Sequence, residues 1–444
     1  MTIMECFRRR YHRSQRVRES DLLPGSRVIR AFFVIAAVLI AKSGAVGGGI
    51  QVAEHSARAT GMGGAVVAAT GDATSLHINP ASLSFFPGMH FSFGATVQIP
   101  EEKFTAELPV RTETKMKALV NFPPNFYISY GSSAGFGAGL GVSVPVAAKT
   151  EWDPDWLGKR IVTKSEIRII TVTPAFSIRP SDILALGVGL NIAVPKLLYE
   201  ERIPVSTSLQ PASDATATYE AGGEMAYGIQ VGVLYRPIEE CSIGLSYRSP
   251  MKMSIDEGRL TYRDVPSQFA GRLANGTFLA NVPYPSEVRT GLCWQPASWI
   301  SAAADLQYGL WSDLTSFSVS FRDPSQPTVF VPTNWKNVLN ARLGVEIAIA
   351  DIFLRGGFRS DHSPVPDETL SPGLPDADAT VYCAGFGYRV GDQLLLDFAF
   401  EIVHFRDRQI TSSILTYGDA GEKFNGVYSS RTTSIALSIS YSWH

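Results

Sequence analysis

The sequence has few charged residues and no long apolar segment. Asp, Glu, Lys and Arg make up 18% of its 444 residues, whereas about a quarter is usual in soluble globular proteins. No apolar run reaches the roughly 18 to 20 residues that a membrane-spanning helix needs. These two shortages argue against an ordinary soluble domain and against a helical membrane protein.

Cysteine is scarce and forms no motif. Cys6 lies in the N-terminal leader, and Cys241, Cys293 and Cys383 lie in strand-like segments without CxxC or zinc-site spacing. We interpret the last three as small apolar fillers. The nucleotide-binding motif GxxxxGK[ST] does not occur. We therefore expect no cofactor, no metal and no nucleotide-driven step.

Residues 1–45 are typical of an export signal. Arg27 and Arg30 precede the apolar run Ala31–Ala41, and Ser43-Gly44-Ala45 supplies small residues for cleavage. The basic leader before this run is longer than usual. Removal of residues 1–45 would leave a mature chain with a net charge of about −8, which gives no support to nucleic-acid binding.

The residues that are abundant fit a membrane β-barrel, since the chain has 39 Gly, 16 Tyr and 24 Phe. In Ser434–Trp443, large apolar residues alternate strictly with Ser and Ala, which is typical of a strand between lipid and a polar lumen. A soluble β-sandwich is disfavoured because the polar faces hold Gly and Ser rather than Lys and Glu. Residues 88–444 predict an all-β, fourteen-stranded antiparallel transmembrane β-barrel. The strands are predicted to begin near Met89, Lys115, Ala134, Thr163, Ile183, Tyr219, Ser242, Pro285, Ile300, Asn334, Ile352, Thr380, Gln393 and Ser429.

The connections between these segments are of two lengths. Arg179–Asp182 and Arg236–Glu240 are short turns, whereas Glu200–Tyr219, Gly258–Tyr284 and His362–Ala379 are long and rich in Pro, Asp and Thr. In outer-membrane barrels the long loops face outside. Aromatic residues near segment ends are predicted to form girdles at the membrane interfaces: Tyr235, Tyr247, Trp299, Trp311, Tyr388 and Trp443.

Residues 46–87 differ from both the leader and the strands. Gly47–Phe86 is rich in Gly and Ala and contains Asn79-Pro80-Ala81. Because a barrel of this size leaves a hole unless something fills it, we predict that this segment folds inward as a plug, or hatch. A tail outside the barrel is the alternative. We interpret His55 and His77 as packed side chains rather than catalytic groups.

Two stretches break the strand pattern. In Phe136–Val146, Gly139, Gly141 and Pro145 weaken the wall, which predicts either a sideways opening or an ordinary β-bulge. If inward and outward side chains alternate strictly along this strand, the Lys196 side chain points toward lipid. A bulge at Pro195 would turn Lys196 inward, and snorkelling at the membrane rim is the alternative.

These features together resemble one known family, the FadL-type outer-membrane transporters of long-chain fatty acids and other hydrocarbons, including the toluene-type importers. The similarity covers nearly the whole mature chain. The matching motifs, in chain order, are Asn79-Pro80-Ala81, Gly139–Val142 with Pro145, Thr150–Gly158, Gly232–Pro237, Gly244–Ser249, Trp311–Asp313, Asp361–Pro366 and Pro375–Asp378. One departure is His444, which follows Trp443 where such barrels usually end in an aromatic residue.

The resemblance implies passive transport through a plugged, monomeric barrel in the bacterial outer membrane. The implied partners are a hydrophobic small-molecule ligand and outer-membrane lipid. Hatch movement and a kink in the third strand would release the ligand. Ile50 falls where the family places an apolar pocket residue, and Lys196 falls near a family position that holds a cation for the ligand carboxylate.

Three functions remain as alternatives to fatty-acid transport. An importer of aromatic hydrocarbons would need no cation in its pocket. A general porin would have charged rings in an open lumen, which the Gly- and Ala-rich hatch disfavours. A barrel enzyme would need an activated Ser, but His362 and His404 stand in no recognisable nucleophile motif.

Overall fold

The computed structural model describes residues 55–69, 72–207, 210–324 and 326–443. The predicted export signal at residues 1–45 and the predicted pocket residue Ile50 lie outside these ranges. Among the described residues, no helix is both long enough and apolar enough to cross a membrane.

Fourteen antiparallel strands form a closed ring, which confirms the predicted fold class. Each strand pairs with the next along the ring, and the last pairs with the first from Met89 opposite Trp443 to Ala106 opposite Gly426. The strands are β1 (Gly88–Ala106), β2 (Pro124–Gly131), β3 (Phe136–Glu151), β4 (Lys164–Ser181), β5 (Leu184–Thr207), β6 (Ala226–Ile238), β7 (Cys241–Arg248), β8 (Glu287–Ala297), β9 (Ile300–Gly309), β10 (Val338–Ile349), β11 (Ile352–Asp361), β12 (Ala379–Val390), β13 (Leu394–Phe405) and β14 (Gly426–Trp443).

Two predicted strand starts were wrong, and both errors arise from strands that extend beyond the membrane. The start near Lys115 falls on a three-residue strand in the loop before β2, and the start near Tyr219 falls on the returning arm of a hairpin that prolongs β5. Period-two alternation marks a strand but does not say whether that strand lies in lipid or in a hairpin above it.

The loops at the end opposite the short turns hold additional structure. Two of the predicted long loops contain strands instead, whereas residues 362–378 contain no named strand. The loop strands are Glu113–Lys115, Gln210–Gly222, Met251–Arg263, Gly276–Tyr284, Ser316–Phe321, Val329–Pro332, Arg408–Ile410, Thr416–Tyr417 and Glu422–Lys423, and the loop 3-10 helices are Ser267–Phe269, Trp311–Asp313 and Asp367–Thr369.

Side chains alternate between lipid and lumen as predicted. On β14, Leu437 and Ile439 are exposed while Ala436 and Ser438, which alternate with them, are buried. Exposed apolar residues therefore cover the outside of the barrel, as lipid requires. Trp311 is an exception to the predicted girdles, since it is buried among the loops and not at the membrane interface.

The described part of the predicted hatch is a chain of short helices. α1 (Ala57–Gly61) is capped by the Ser56 hydroxyl, and 3-10 helices follow at Ala73–His77 and Pro80–Phe85. Asp72 and Asn79 cap the two 3-10 helices through their side-chain oxygens. Small polar residues at the N-caps thus determine where each short helix begins.

This segment lies inside the ring. The backbone nitrogen of Ala57 donates to Ser438 Oγ of β14 at 2.8 Å, and that of Val67 donates to Asp305 Oδ2 of β9 at 2.8 Å. Because β14 and β9 lie well apart around the ring, a segment that bonds to the inner faces of both occupies the lumen. The alternative of an external tail is therefore excluded for the described part of the segment.

Candidate functional site

Asn79 joins the buried segment to the barrel wall. Its Oδ1 accepts from the backbone nitrogen of Ala81 at 3.2 Å. Its Nδ2 donates to the carbonyl oxygens of Val67, within the segment, and Val233, on β6, each at 3.1 Å. Asn79 is 1% exposed, so all three hydrogen bonds form away from water. One side chain thus fixes both the fold of the segment and its position against β6.

Pro80 and Ala81 rest on glycines of the wall. A Cβ atom added to Gly187 on β5 would lie 2.3 Å from the Ala81 nitrogen, and one added to Gly232 on β6 would lie 2.1 Å from Asn79 Oδ1. No larger residue fits at either position without a shift of the segment. These glycines of β5 and β6 form the seat of the Asn79-Pro80-Ala81 motif.

Gly139 and Gly141 of β3 form a second contact with the buried segment. A Cβ atom on Gly139 would meet the Leu76 side chain at 2.6 Å, and one on Gly141 would meet the Tyr127 ring at 2.8 Å. Leu76 and Tyr127 are both fully buried. The inward glycines therefore hold packed hatch and wall side chains rather than empty space.

Pro145 lies at a break in the wall. The β3–β4 register shifts between Ser143 and Val146, which is a β-bulge. On its other side, β3 pairs with β2 only as far as Val142, which is opposite Phe126. Beyond Val142, the described contacts across this seam are few, and they include Asn121 Nδ2 to the Ala147 carbonyl at 3.4 Å.

A cavity of about 190 Å³ reaches this seam from inside the barrel. Asn121, Ala147 and Lys149 border it at the seam. Its lining elsewhere is mixed, because Leu374, Val403 and Phe405 supply apolar surface while the strands supply charged groups: Glu102, Arg342, Arg359, Asp361 and Glu401. Such a cavity suits an amphipathic molecule better than either a sugar or a plain hydrocarbon.

The loop over this cavity is held by Arg408. Its Nε donates to Asp367 Oδ1 at 2.6 Å, and its Nη1 donates to the carbonyl oxygen of Asp376 at 3.1 Å. Ser363 Oγ donates to Asp376 Oδ2 at 2.6 Å. Burial raises the pKa of the Asp376 carboxyl from 3.8 to about 6. The two predicted family motifs of this loop are thus held together by a residue that follows both in sequence.

An aromatic cluster connects this loop to the loop after β3. Trp152 stacks on Trp156 with ring centroids 4.4 Å apart, and its Nε1 donates to the carbonyl oxygen of Pro372 at 3.0 Å. Phe104 and Phe424 stack beside them at 4.3 Å. Segments more than two hundred residues apart in sequence therefore form one apolar cover over this end of the lumen.

Sequence reasoning missed a group of buried charges near the start of the described hatch. Arg248 on β7 and Arg289 on β8 both donate to the carboxylate of Glu287, Arg248 at 3.2 Å. All three side chains are at least nine-tenths buried, and Arg248 Nε and Arg289 Nη1 have no partner among the described residues. The signal was Glu287 and Arg289 at two successive inward positions of one strand, with Arg248 at an inward position of another.

Lys196 is not in the lumen. The β4–β5 pairing continues without a bulge through Pro195 and places Lys196 directly opposite Arg168. Both side chains are exposed on the outer face. The inward turn at Pro195 does not occur, so the prediction of Lys196 as a pocket cation is wrong. The snorkelling alternative agrees with this position.

The described histidines and cysteines form no metal site. The rings of His55 and His77 lie 3.9 Å apart, and His77 Nδ1 lies 3.3 Å from Ser143 Oγ on β3. No group of three or more possible metal ligands occurs among the described residues. Cys241, Cys293 and Cys383 form no disulfide with one another, and two of them are buried.

Comparison with known proteins agrees with this architecture. The sequence profile of one family, "Outer membrane protein transport protein (OMPP1/FadL/TodX)", matches residues 38–443. The chain belongs to this family. Its members are passive outer-membrane channels for hydrophobic small molecules and not enzymes, so the OMPP1/FadL/TodX family places this protein in the outer membrane.

Three relatives illustrate the similarity. Outer membrane protein P1 of Haemophilus influenzae is 23% identical over 419 residues, which is 84% of this chain and 90% of that protein. The long-chain fatty acid transport protein of Escherichia coli O6:H1 is 22% identical over 403 residues, 83% of this chain and 89% of that protein. The crystal structure of a Pseudomonas aeruginosa FadL homologue superposes with a TM-score of 0.79 at 18% identity, over 89% of this chain and 100% of that one.

Proposed function

We propose that this protein carries long-chain fatty acids passively across the outer membrane as a monomer. In this proposal, residues 46–87 act as a hatch that must shift before the ligand leaves. The observation that carries the proposal is the cavity of about 190 Å³ that reaches the sparsely hydrogen-bonded seam beyond the end of β2–β3 pairing. A channel for polar solutes needs neither a filled lumen nor a seam that faces lipid.

The physical problem is the release of an apolar chain once it is bound. Burial of each methylene is worth about 0.8 kcal/mol, so ten methylenes would contribute about 8 kcal/mol before any cost. A rigid pocket would hold such a ligand too long. The contact of the hatch with Gly187 and Gly232 is tight but not covalent, which is compatible with a shift of the hatch. Such a shift must also break or stretch the ion pair of Arg58 with Glu346 on β10.

Arg248 and Arg289 are our proposed anchor for the ligand carboxylate. Two guanidinium groups face a single carboxylate, Glu287, and each retains an N–H without a described partner. A fatty-acid headgroup would supply the missing acceptor oxygens, and charge-assisted hydrogen bonds of this kind are the strong ones. Ile50, which precedes His55 by five residues, is our proposed apolar contact for the ligand near these arginines.

The seam at β3 is our proposed exit. The bulge at Val144-Pro145 and the end of β2–β3 pairing at Val142 leave the wall with few hydrogen bonds beside the cavity. An apolar chain that slides through this seam leaves the cavity in the row of Ala147, where the apolar band ends, and enters the outer leaflet from its headgroup side. Gly139, Gly141 and Pro145 are thus assigned to the flexible part of the wall.

Uptake by cells that lack their own importer tests the proposal. A cysteine pair at Asn121 and Ala147, joined by a short bifunctional maleimide in a background without native cysteines, should abolish uptake of a labelled long-chain fatty acid. Single-cysteine variants treated with the same reagent should retain uptake. Full uptake through a joined seam would contradict the lateral exit, and passage of sugars and salts alone would indicate a porin.

An importer of aromatic hydrocarbons is the second candidate. Val146 of β3 packs with Met251, Met253 and Tyr284 in an apolar cluster beside Arg248. Methionine side chains adapt to ligands of various shapes. If cells take up toluene but not a fatty acid, and if Arg289→Gln leaves that uptake unchanged, the substrate is the hydrocarbon and the arginines are structural.

A further inference from the structure

We propose that Arg168 and Lys196 form a binding site for the phosphate of an outer-leaflet lipid headgroup. The site lies on the outside of the barrel wall, beside the proposed exit at Ala147, and the proposal does not depend on the transport path. Its ligand is a phosphorylated membrane lipid on the side of the long loops.

The first support is the position of the two cations relative to the apolar band. On β4, the outward residues from Ile178 to Ile170 are all apolar, and the next outward residue is Arg168. On β5, the outward residues from Leu186 to Val194 are all apolar, and the next is Lys196. Both lipid-facing runs therefore end on a cation. The two cations lie side by side on neighbouring strands, in one row of paired residues across the sheet, at the height where headgroup phosphates begin.

The second support is the pairing itself. Arg168 and Lys196 are cross-strand partners on adjacent strands, and like charges in directly opposite positions repel each other. Neither forms an ion pair or side-chain hydrogen bond with any other described residue. An anion between the two side chains would remove the repulsion, and a phosphate oxygen cluster matches two neighbouring cations.

The surroundings leave room for a headgroup. In the same row, Ala147 of β3 stands beside Arg168, and Gly222 stands beside Lys196. The next row away from the apolar band holds two acidic residues, Glu166 and Glu220, which lie on either side of Leu198. The row at the band boundary is thus cationic with small neighbours, and the acidic groups stand outside it.

Native mass spectrometry of the purified full-length protein tests the site. The probes are a diphosphorylated lipid A, the same lipid without phosphates, and inorganic phosphate. We expect Arg168→Gln/Lys196→Gln to weaken binding of the phosphorylated lipid by roughly tenfold or more. The charge-preserving variant Arg168→Lys/Lys196→Arg should bind it as the wild type does.

Matched controls separate this site from a general attraction to anions. Lys252→Gln/Arg259→Gln removes two exposed cations from a neighbouring hairpin and should leave lipid binding unchanged. The single variants Arg168→Gln and Lys196→Gln repeat the test should the double variant fail to fold. Three results would overturn the proposal. The lipid without phosphates binds as tightly as the phosphorylated lipid, or inorganic phosphate competes as well as the phosphorylated lipid does. The third is that the Lys252/Arg259 variant loses as much lipid binding as the Arg168/Lys196 variant.

Discussion

The side-chain nitrogen of Asn79 lies 3.1 Å from the carbonyl oxygen of Val233, and this hydrogen bond connects the buried segment to strand β6. The same side chain caps the 3-10 helix at Pro80–Phe85 and bonds to Val67. The contact is polar, buried and small. It therefore positions the segment on β6, while the ion pair of Arg58 with Glu346 on β10, at 3.1 Å, and the bond of Val67 to Asp305 on β9 also hold it to the wall.

Asn79→Ala should loosen the hatch without unfolding the barrel. Three hydrogen bonds are lost, each worth about 0.5 to 1.5 kcal/mol net, while the strand pairing is untouched. Hydrogen exchange in residues 55–86 should rise, and leakage of a large antibiotic into cells should increase. Asn281→Ala is the control, because Asn281 lies on an exposed hairpin. Unchanged exchange in Asn79→Ala would show that other contacts hold the segment.

Gly232→Val should displace the hatch by steric conflict. Its Cβ would lie 2.1 Å from Asn79 Oδ1, a contact that real structures do not contain. We expect increased ion conductance in planar bilayers from a barrel that still inserts. Gly356→Val is the matched control on β11, because a Cβ atom there meets nothing within 4 Å. Similar conductance in the two variants would contradict the claim that the hatch rests on Gly232.

Arg289→Gln should separate acidic from neutral ligands. Glu287 keeps Arg248 at 3.2 Å in this variant, so the buried carboxylate is not left unpaired. Affinity for a long-chain fatty acid should fall by about tenfold, which corresponds to about 1.4 kcal/mol, while affinity for its methyl ester should not change. Arg322→Gln, on an exposed loop, serves as the control. An equal loss for acid and ester would mean that the arginine acts through packing alone.

The loop over the cavity should become less stable as the pH rises toward neutrality. Burial raises the pKa of Asp376 from 3.8 to about 6, so the folded loop favours the protonated carboxyl. Its contribution is fully present below about pH 4 and is lost as the pH rises through about 6. Limited proteolysis of the loop between pH 4 and pH 7 should show this trend in the wild type and a flat profile in Asp376→Asn. A flat profile in the wild type would contradict the claim that titration of Asp376 changes the stability of the loop.

The strands could be predicted from sequence because their signal is local. Alternation in Ser434–Trp443 is set by lipid on one side and the lumen on the other, and no distant partner is needed to recognise it. The buried position of Asn79 could be predicted only through the resemblance and the need to fill a wide barrel. Its bonding partners Val67 and Val233 have no sequence signature, because backbone carbonyls are present at every position.

The remaining features depend on closure of the ring. Arg248 and Glu287 are 39 residues apart and become neighbours only when β7 pairs with β8. The Gly187 and Gly232 seats become recognisable only once the hatch lies on them. The error at Lys196 has the same origin, because a bulge at Pro195 was a local hypothesis and the continuous β4–β5 register overrides it.

The most direct test of the account is a reversible tether between hatch and wall. A Cβ on Gly344 of β10 would lie 3.1 Å from the Cβ of Met62 and 2.5 Å from the Met62 carbonyl oxygen. A disulfide, whose Cβ atoms lie roughly 3.8 Å apart, therefore fits here with a small shift of the hatch backbone, and uptake by the reduced variant is the control for that shift. The protein would carry Met62→Cys and Gly344→Cys with Cys241, Cys293 and Cys383 replaced by Ser. We predict that oxidised cells take up no labelled long-chain fatty acid and that a reductant restores uptake. Full uptake with the disulfide verified as closed would contradict the claim that the hatch must move.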